Sequence, residues 1–215
     1  MPEPTVRQTD LEDVLLIQPV PVSDERGFFV RTMSAEPLLD AGIDVRASVH
    51  ENQSRSRRGT LRGLHMRTAL SEAKLVRCAR GAVLEVVVDL RPWSSTFGRW
   101  ASFELDDVTH LQVFVPAGCA HGYYVHSDWA DICYKHDAAY APELEGALAW
   151  NDPELGIRWP ATDPILSQRD RTAPTFAAVR PKLAGWYGTL RPESNGGADH
   201  PSFQVRQGGS PASHS

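Results

Sequence analysis

Apolar residues in this 215-residue chain come in short runs separated by Gly, Pro, Asp and Ser. Alternating apolar and polar positions mark a half-buried strand, and turn residues end it. On that pattern strands are expected at 14–20, 27–32, 45–52, 60–66, 75–79, 83–90, 100–105, 111–115, 122–125, 131–136 and 146–150. Ser23-Asp24-Glu25, Arg80-Gly81 and Asp106-Asp107 are expected turns. The stretch 83–90, Val-Leu-Glu-Val-Val-Val-Asp-Leu, breaks the alternation. Such a β-branched run is expected to be buried on both faces. Helical signals are few: one at 34–41, with Ser34 placed to cap it and Glu36 in its first turn, and a second near 173–183. Many short strands at this spacing predict an all-β fold, a β-sandwich or a jelly-roll barrel.

Composition narrows this picture. Hydrophobic residues make up 41%, enough for a core, and the length suits one all-β domain. Beyond Gly188 the chain becomes rich in Gly, Ser and Pro. The expected domain is therefore 1–188, with 189–215 a flexible tail lacking its own core. A formal net charge of -5 argues against a nucleic-acid surface. The short run Arg55-Ser56-Arg57-Arg58 reads as a solvated loop. Cys78, Cys119 and Cys133 lie far apart and form no CxxC pair, so neither a disulfide framework nor a zinc knuckle is expected. Cys78 and Cys133 sit in apolar runs and are expected to be buried, inert thiols, which fits a reducing cytoplasm. Val14-Leu15-Leu16-Ile17 follows acidic rather than basic residues, unlike a signal peptide, and no run is long enough to span a membrane.

The candidate chemistry centres on Arg62-Gly63-Leu64-His65, with Lys74 nine residues further on. Arginine suits a phosphate, histidine a proton in transfer, and lysine an oxyanion. Gly63 is expected to let the backbone approach whatever these residues hold. Together with Glu85 they lie along strands that otherwise read as core. Burying such groups costs free energy unless they pair or bind a charged ligand. A jelly-roll metal centre needs His-x-His and a Glu on one hairpin and a third His after Pro-x-Gly-x-x. Pro116-Ala117-Gly118-Cys119-Ala120-His121 supplies only the second part. Arg67 stands where the second imidazole would, and a cation there repels a divalent metal. With His65, His121 and Glu72 the set is one imidazole short, so no metal is expected.

Several motifs in order, from about Asp24 to Asp170, carry a family resemblance. They are Asp24-Glu25-Arg26-Gly27-Phe28-Phe29, then Asn52-Gln53-Ser54-Arg55-Ser56 leading into Gly59-Thr60-Leu61-Arg62-Gly63-Leu64-His65, and Ala73-Lys74-Leu75-Val76-Arg77. Val88-Asp89-Leu90-Arg91 with Ser95-Thr96-Phe97-Gly98, the block 116–122 and Tyr134-Lys135 follow. Trp150-Asn151-Asp152-Pro153, Ile157-Arg158-Trp159-Pro160 and Leu166-Ser167-Gln168-Arg169-Asp170 complete the series. The whole resembles the dTDP-4-dehydrorhamnose 3,5-epimerases. The resemblance implies a double-stranded β-helix, the cupin or jelly-roll barrel, without metal or other cofactor, in a homodimer that exchanges strands. It implies a dTDP-4-keto-6-deoxyhexose substrate, epimerised at C3, C5 or both by proton removal beside the ketone and return to the opposite face. A 3,4-ketoisomerase on a similar nucleotide sugar and a non-catalytic sugar-nucleotide-binding cupin are the alternatives.

Carried over position by position, the resemblance implies that His65 is the base, Asp170 its orienting partner, Lys74 the cation facing the C4 oxygen, and Tyr134 the acid on the other face. Tyr140 and Glu145 match positions lining the sugar pocket. Arg26, Arg62 and His121 match contacts to nucleotide, diphosphate or sugar, and Phe28, Asn52 and Arg169 match further substrate contacts. Four places depart from the family pattern. Arg31 replaces the usual Glu and His50 the usual Gln, both at nucleotide-holding positions. Met66-Arg67 replaces an aromatic and Gln, and Arg169 replaces Lys.

Overall fold

Residues 2–44 and 48–191 are described in a computed structural model of the chain. Their strands are β1 (Thr5–Gln8), β2 (Leu15–Gln18), β3 (Val22–Asp24), β4 (Gly27–Phe29), β5 (His50–Arg57), β6 (Leu61–Arg67), β7 (Lys74–Arg80), β8 (Ala82–Asp89), β9 (Trp100–Asp106), β10 (Gln112–Val115), β11 (Cys119–Val125), β12 (Trp129–His136) and β13 (Glu145–Ala147). One antiparallel sheet runs β1-β2-β10-β7-β12-β5 and a second runs β13-β6-β11-β8-β9. The two pack face to face as a jelly-roll barrel, the all-β class expected. No helix among the described residues is long and apolar enough to cross a membrane.

Three apolar clusters explain the layers. Val76, Val83, Val87, Val113, Tyr123 and Ile132 come from both sheets and fill the space between them. On the outer face of the second sheet, Leu64, Met66, Val86 and Val88 pack under Phe176, Val179, Leu183 and Tyr187 of helix α3 (Phe176–Tyr187). Outside the first sheet, Leu15, Ile17, Leu75 and Phe114 pack against Leu38 of α1 (Ala35–Asp40). The β8 run therefore faces apolar neighbours on both sides: Val83 and Val87 inward, Val86 and Val88 outward. Burying one such side chain stabilises the fold by roughly 1.5–3 kcal/mol.

Local expectations needed correction in places. Arg55-Ser56-Arg57-Arg58 is not a loop, because Arg55 to Arg57 end β5, paired with β12. Arg55 and Arg57 point out, and Arg55 makes a two-pronged pair with Asp131 at 2.6 Å, while Ser56 points in and is buried. Ser34 precedes α1 but makes no side-chain cap bond. The second helix begins at Phe176, where Thr175 Oγ1 accepts the Ala178 N–H. The strand expected at 45–52 begins at His50, and residues 45–47 lie outside the described residues. The hairpin turn falls at Glu25-Arg26. β1 and the short helix α2 (Gln168–Arg171) were not expected. Of the expected tail, 192–215 lie outside the described residues.

Between β6 and β11 the pairing slips: His121 faces His65 and Tyr123 faces Arg62, so β6 carries one extra residue. Gly63, at φ +140°, and Gly122 meet at the slip. A Cβ on Gly63 would lie 2.6 Å from Gly122 Cα, and one on Gly122 would lie 2.7 Å from the Arg62 carbonyl oxygen. The glycine expected to approach a ligand instead approaches the neighbouring strand.

Candidate active site

The inner faces of the strands are apolar at one end of the barrel and polar at the other. At the polar end β5 contributes His50, Asn52 and Ser54 at alternate positions, β6 Arg62 and His65, β7 Lys74, β8 Glu85, β11 His121 and Tyr123, and β12 Tyr134 and His136. All of these but Glu85, which lies buried behind His121, line a cavity of about 260 Å³. Nine of the expected catalytic and substrate-binding residues line it: His50, Asn52, Arg62, His65, Lys74, His121, Tyr134, Tyr140 and Glu145. A second cavity of about 510 Å³ opens on the other side of His65 and is lined by Arg62, Arg169 and Asp170 among others. His65 borders both.

His65 Nε2 lies 2.7 Å from Asp170 Oδ1. Asp170 sits in α2, whose first turn is fixed by Ser167: its Oγ accepts the Asp170 N–H and donates to Asp170 Oδ2 at 2.8 Å. Burial works to raise the Asp170 pKa, but the hydrogen bonds from His65 and Ser167 hold it below the ordinary value. An ionised carboxylate only accepts, so His65 Nε2 donates to Asp170, and in the neutral ring the lone pair is then on Nδ1.

Lys74 Nζ donates to His121 Nε2 at 3.2 Å and lies 3.2 Å from Glu72 Oε2. An ammonium has no lone pair, so His121 Nε2 accepts and Nδ1–H donates to Glu85 Oε1 at 2.7 Å. Burial pushes Glu85 well above the ordinary carboxyl range and, with Lys74 nearby, pushes His121 well below the ordinary imidazole range. Glu72 receives His136 at 3.1 Å and Arg67 at 2.7 Å. Burial opposes its ionisation, but these donors and Lys74 bring its pKa down to about 2. Arg67 thus sits buried against Glu72. Among the described residues no group of three or more His, Cys, Asp or Glu is placed to hold a metal ion.

Tyr134 Oη bonds Ser54 Oγ at 3.1 Å, and burial pushes its pKa well above the ordinary phenol value. His136 stacks on His50 with ring centroids 4.4 Å apart. Sequence reasoning missed His136, Tyr123, Ser54 and Ser56. The usable signal was the alternation Asn52, Ser54, Ser56 along β5, polar residues at the inward positions of a strand.

Three expected site residues are not brought to either cavity. Arg26, in the β3–β4 turn, pairs with Asp24; Phe28 is 58% exposed; Arg31 lies 3.6 Å from Glu3. The β3–β4 hairpin forms a separate two-stranded sheet.

A jelly-roll barrel whose polar end holds a histidine–carboxylate pair, a lysine and a buried tyrosine is the site of a cupin-type isomerase. The profile of the dTDP-4-dehydrorhamnose 3,5-epimerases matches residues 8–178, and the chain belongs to that family. It is 43% identical over 168 residues to the dTDP-4-dehydrorhamnose 3,5-epimerase of Pseudomonas aeruginosa, covering 78% of this chain and 93% of that one. It is similar to the crystal structure of NovW, a 4-keto-6-deoxy sugar epimerase of the novobiocin cluster of Streptomyces spheroides. There the TM-score is 0.81 at 38% identity, covering 86% of this chain and 92% of NovW. It is also similar to ChmJ, a 3'-monoepimerase from Streptomyces bikiniensis solved with dTDP-quinovose, with a TM-score of 0.77 at 35% identity over 83% and 91% of the two chains.

Proposed function

We propose that this isomerase of deoxysugar biosynthesis epimerises a dTDP-4-keto-6-deoxyhexose at C3, C5 or both, through an enolate and without a metal. The observation that carries this reading is the 2.7 Å His65–Asp170 pair on the wall of a cavity shared with Lys74 and Tyr134. A hydrogen beside a ketone is weakly acidic, so its removal needs a positioned base and stabilisation of the oxygen that gains charge. His65 Nδ1 takes the proton while Asp170 stabilises the imidazolium formed. The Lys74 ammonium faces the C4 oxygen. Tyr134, kept protonated by its burial, delivers a proton to the opposite face of the carbon. His121 holds Lys74 in place and contacts the sugar, which Asn52, Tyr140 and Glu145 enclose. Arg62 and Arg169 supply positive charge for the diphosphate.

Arg26, Phe28 and Arg31 serve the site of a second copy in this reading. The support is the separate β3–β4 hairpin, with Phe28 and Phe29 58% and 66% exposed, which suits a homodimer with exchanged strands. Sedimentation of the pure protein as a monomer would remove that part. Three free, buried cysteines support a cytoplasmic setting. The domain is read as 1–188, with 189–215 a Gly/Ser/Pro-rich tail outside it.

The test is NMR of dTDP-4-keto-6-deoxyglucose with the protein in deuterated water. Deuterium entering C3 or C5, with inversion there, is the expected result, and it names the carbon. Absence of exchange at both carbons overturns the reading.

A further inference from the structure

An unbroken row of polar groups leads from the cavity wall along the inner face of the barrel. Tyr134 Oη is 3.1 Å from Ser54 Oγ, which is 2.9 Å from Tyr123 Oη. Tyr123 Oη is 3.1 Å from Ser56 Oγ, and Ser56 Oγ accepts the Arg62 Nε–H at 2.9 Å. Tyr123 is 1% exposed and Ser56 4%. The Tyr123 ring packs in the apolar cluster with Val125 and Ile132, where phenylalanine would serve as well. A phenol oxygen buried there costs free energy unless it is bonded, and this one is bonded on both sides.

A hydroxyl both donates and accepts, so a row of hydroxyls can run in either direction. Arg62 breaks the tie, because a guanidinium only donates. With Ser56 accepting from Arg62, the cooperative arrangement has Ser56 donate to Tyr123, Tyr123 to Ser54 and Ser54 to Tyr134. Tyr134 then accepts at its Ser54 side, and its own proton is not spent on Ser54. In the opposite direction Tyr134 would spend that proton on Ser54.

We propose that Ser54, Tyr123 and Ser56 are positioning residues that aim the Tyr134 proton at the substrate and hold the phenolate left behind, with Arg62 as the fixed donor at the far end. This rests on Tyr134 being the acid. In the step itself the Tyr134 O–H bond breaks, a C–H bond forms on the enolate carbon, and the phenolate accepts the Ser54 hydroxyl. The row spreads the new negative charge towards Arg62. Water entering the cavity after product release restores the phenol. Arg62 commits only Nε to the row, leaving its two terminal nitrogens for a phosphate.

The test uses Tyr123→Phe, which removes one oxygen without changing shape, together with Ser56→Ala and Ser56→Thr. Each full-length variant is given dTDP-4-keto-6-deoxyglucose in deuterated water, and deuterium uptake and inversion are followed separately against pH. Tyr123→Phe and Ser56→Ala are expected to keep deuterium uptake and KM near wild type while inversion slows about tenfold or more. The alkaline limb of their inversion profile should move, and Ser56→Thr, which keeps the hydroxyl, should restore inversion. Wild-type inversion in both Tyr123→Phe and Ser56→Ala overturns the proposal and leaves the epimerase reading standing. Uptake and inversion falling together in both variants also overturns it, in favour of a packing role. A wild-type protein that exchanges nothing removes the epimerase reading itself.

Discussion

Two imidazole–carboxylate pairs, their histidines opposite each other on the neighbouring strands β6 and β11, are each closed at 2.7 Å, and their electrostatics are opposite. Asp170 has a second donor in Ser167, and its pKa is held down. Its partner His65 is 29% exposed at the cavity, with one nitrogen uncommitted to the carboxylate. Glu85 is fully buried, and its second oxygen finds no partner among the described residues. His121 has one nitrogen on Glu85 and the other on Lys74. The first pair combines an anion with a ring that can gain a proton. Burial drives both members of the second towards their neutral forms. Separation therefore does not decide which imidazole is the base. The neighbour of the second nitrogen and the solvation of the carboxylate decide it.

The sharpest way to break this comparison is at the base. His65→Ala should slow deuterium uptake at every carbon by roughly three to four orders of magnitude, and near-normal turnover would place the base elsewhere. The carboxylates come next. Asp170→Asn should slow uptake by about a hundredfold or more, because an amide can present its NH2 and turn the ring to the wrong tautomer. Glu85→Gln should cost about tenfold or less, since its partner acts neutral in either case. Equal losses at the two positions would erase the distinction. Tyr134→Phe tests the far side of the substrate: exchange should persist while inversion falls, because the proton can return to the face it left.

The smallest effect concerns a third carboxylate, Glu72, ringed by Arg67, Lys74 and His136. A carboxyl whose folded pKa is depressed stabilises the fold above its unfolded pKa. That contribution drains away as pH falls, here from about 4.5 towards about 2. Urea midpoints of the wild type should therefore drop across that window, and Glu72→Gln should drop less. Parallel curves would show that Glu72 does not carry the acid sensitivity.

Strands whose burial pattern is dictated by their own residues were legible. The β-branched β8 run was read as buried on both faces and is, because α3 and the facing sheet cover it. β5 was half missed, since its inward residues Asn52, Ser54 and Ser56 are polar and its arginines look like a solvated loop. Polar residues form a strand there because they line a cavity and pair across to β12, and a single chain segment does not announce its partner. The short α2 was hidden for a different reason: four residues held by one serine cap carry little periodicity. Arg62, His65 and Lys74 were legible as local chemistry. The Tyr134–Ser54–Tyr123–Ser56 row was not, because it joins three strands through contacts between residues up to 80 apart.

The slipped register at Gly63 and Gly122 has one more consequence. Side chains along a strand alternate, so positions 62 and 65, an odd step apart, would normally face opposite ways. The extra residue shifts the phase, and Arg62 and His65, the proposed phosphate contact and the proposed base, share the interior. Two bare α-carbons thus act as a gear between anchoring and chemistry. Restoring the regular register would turn one of the two away from the interior.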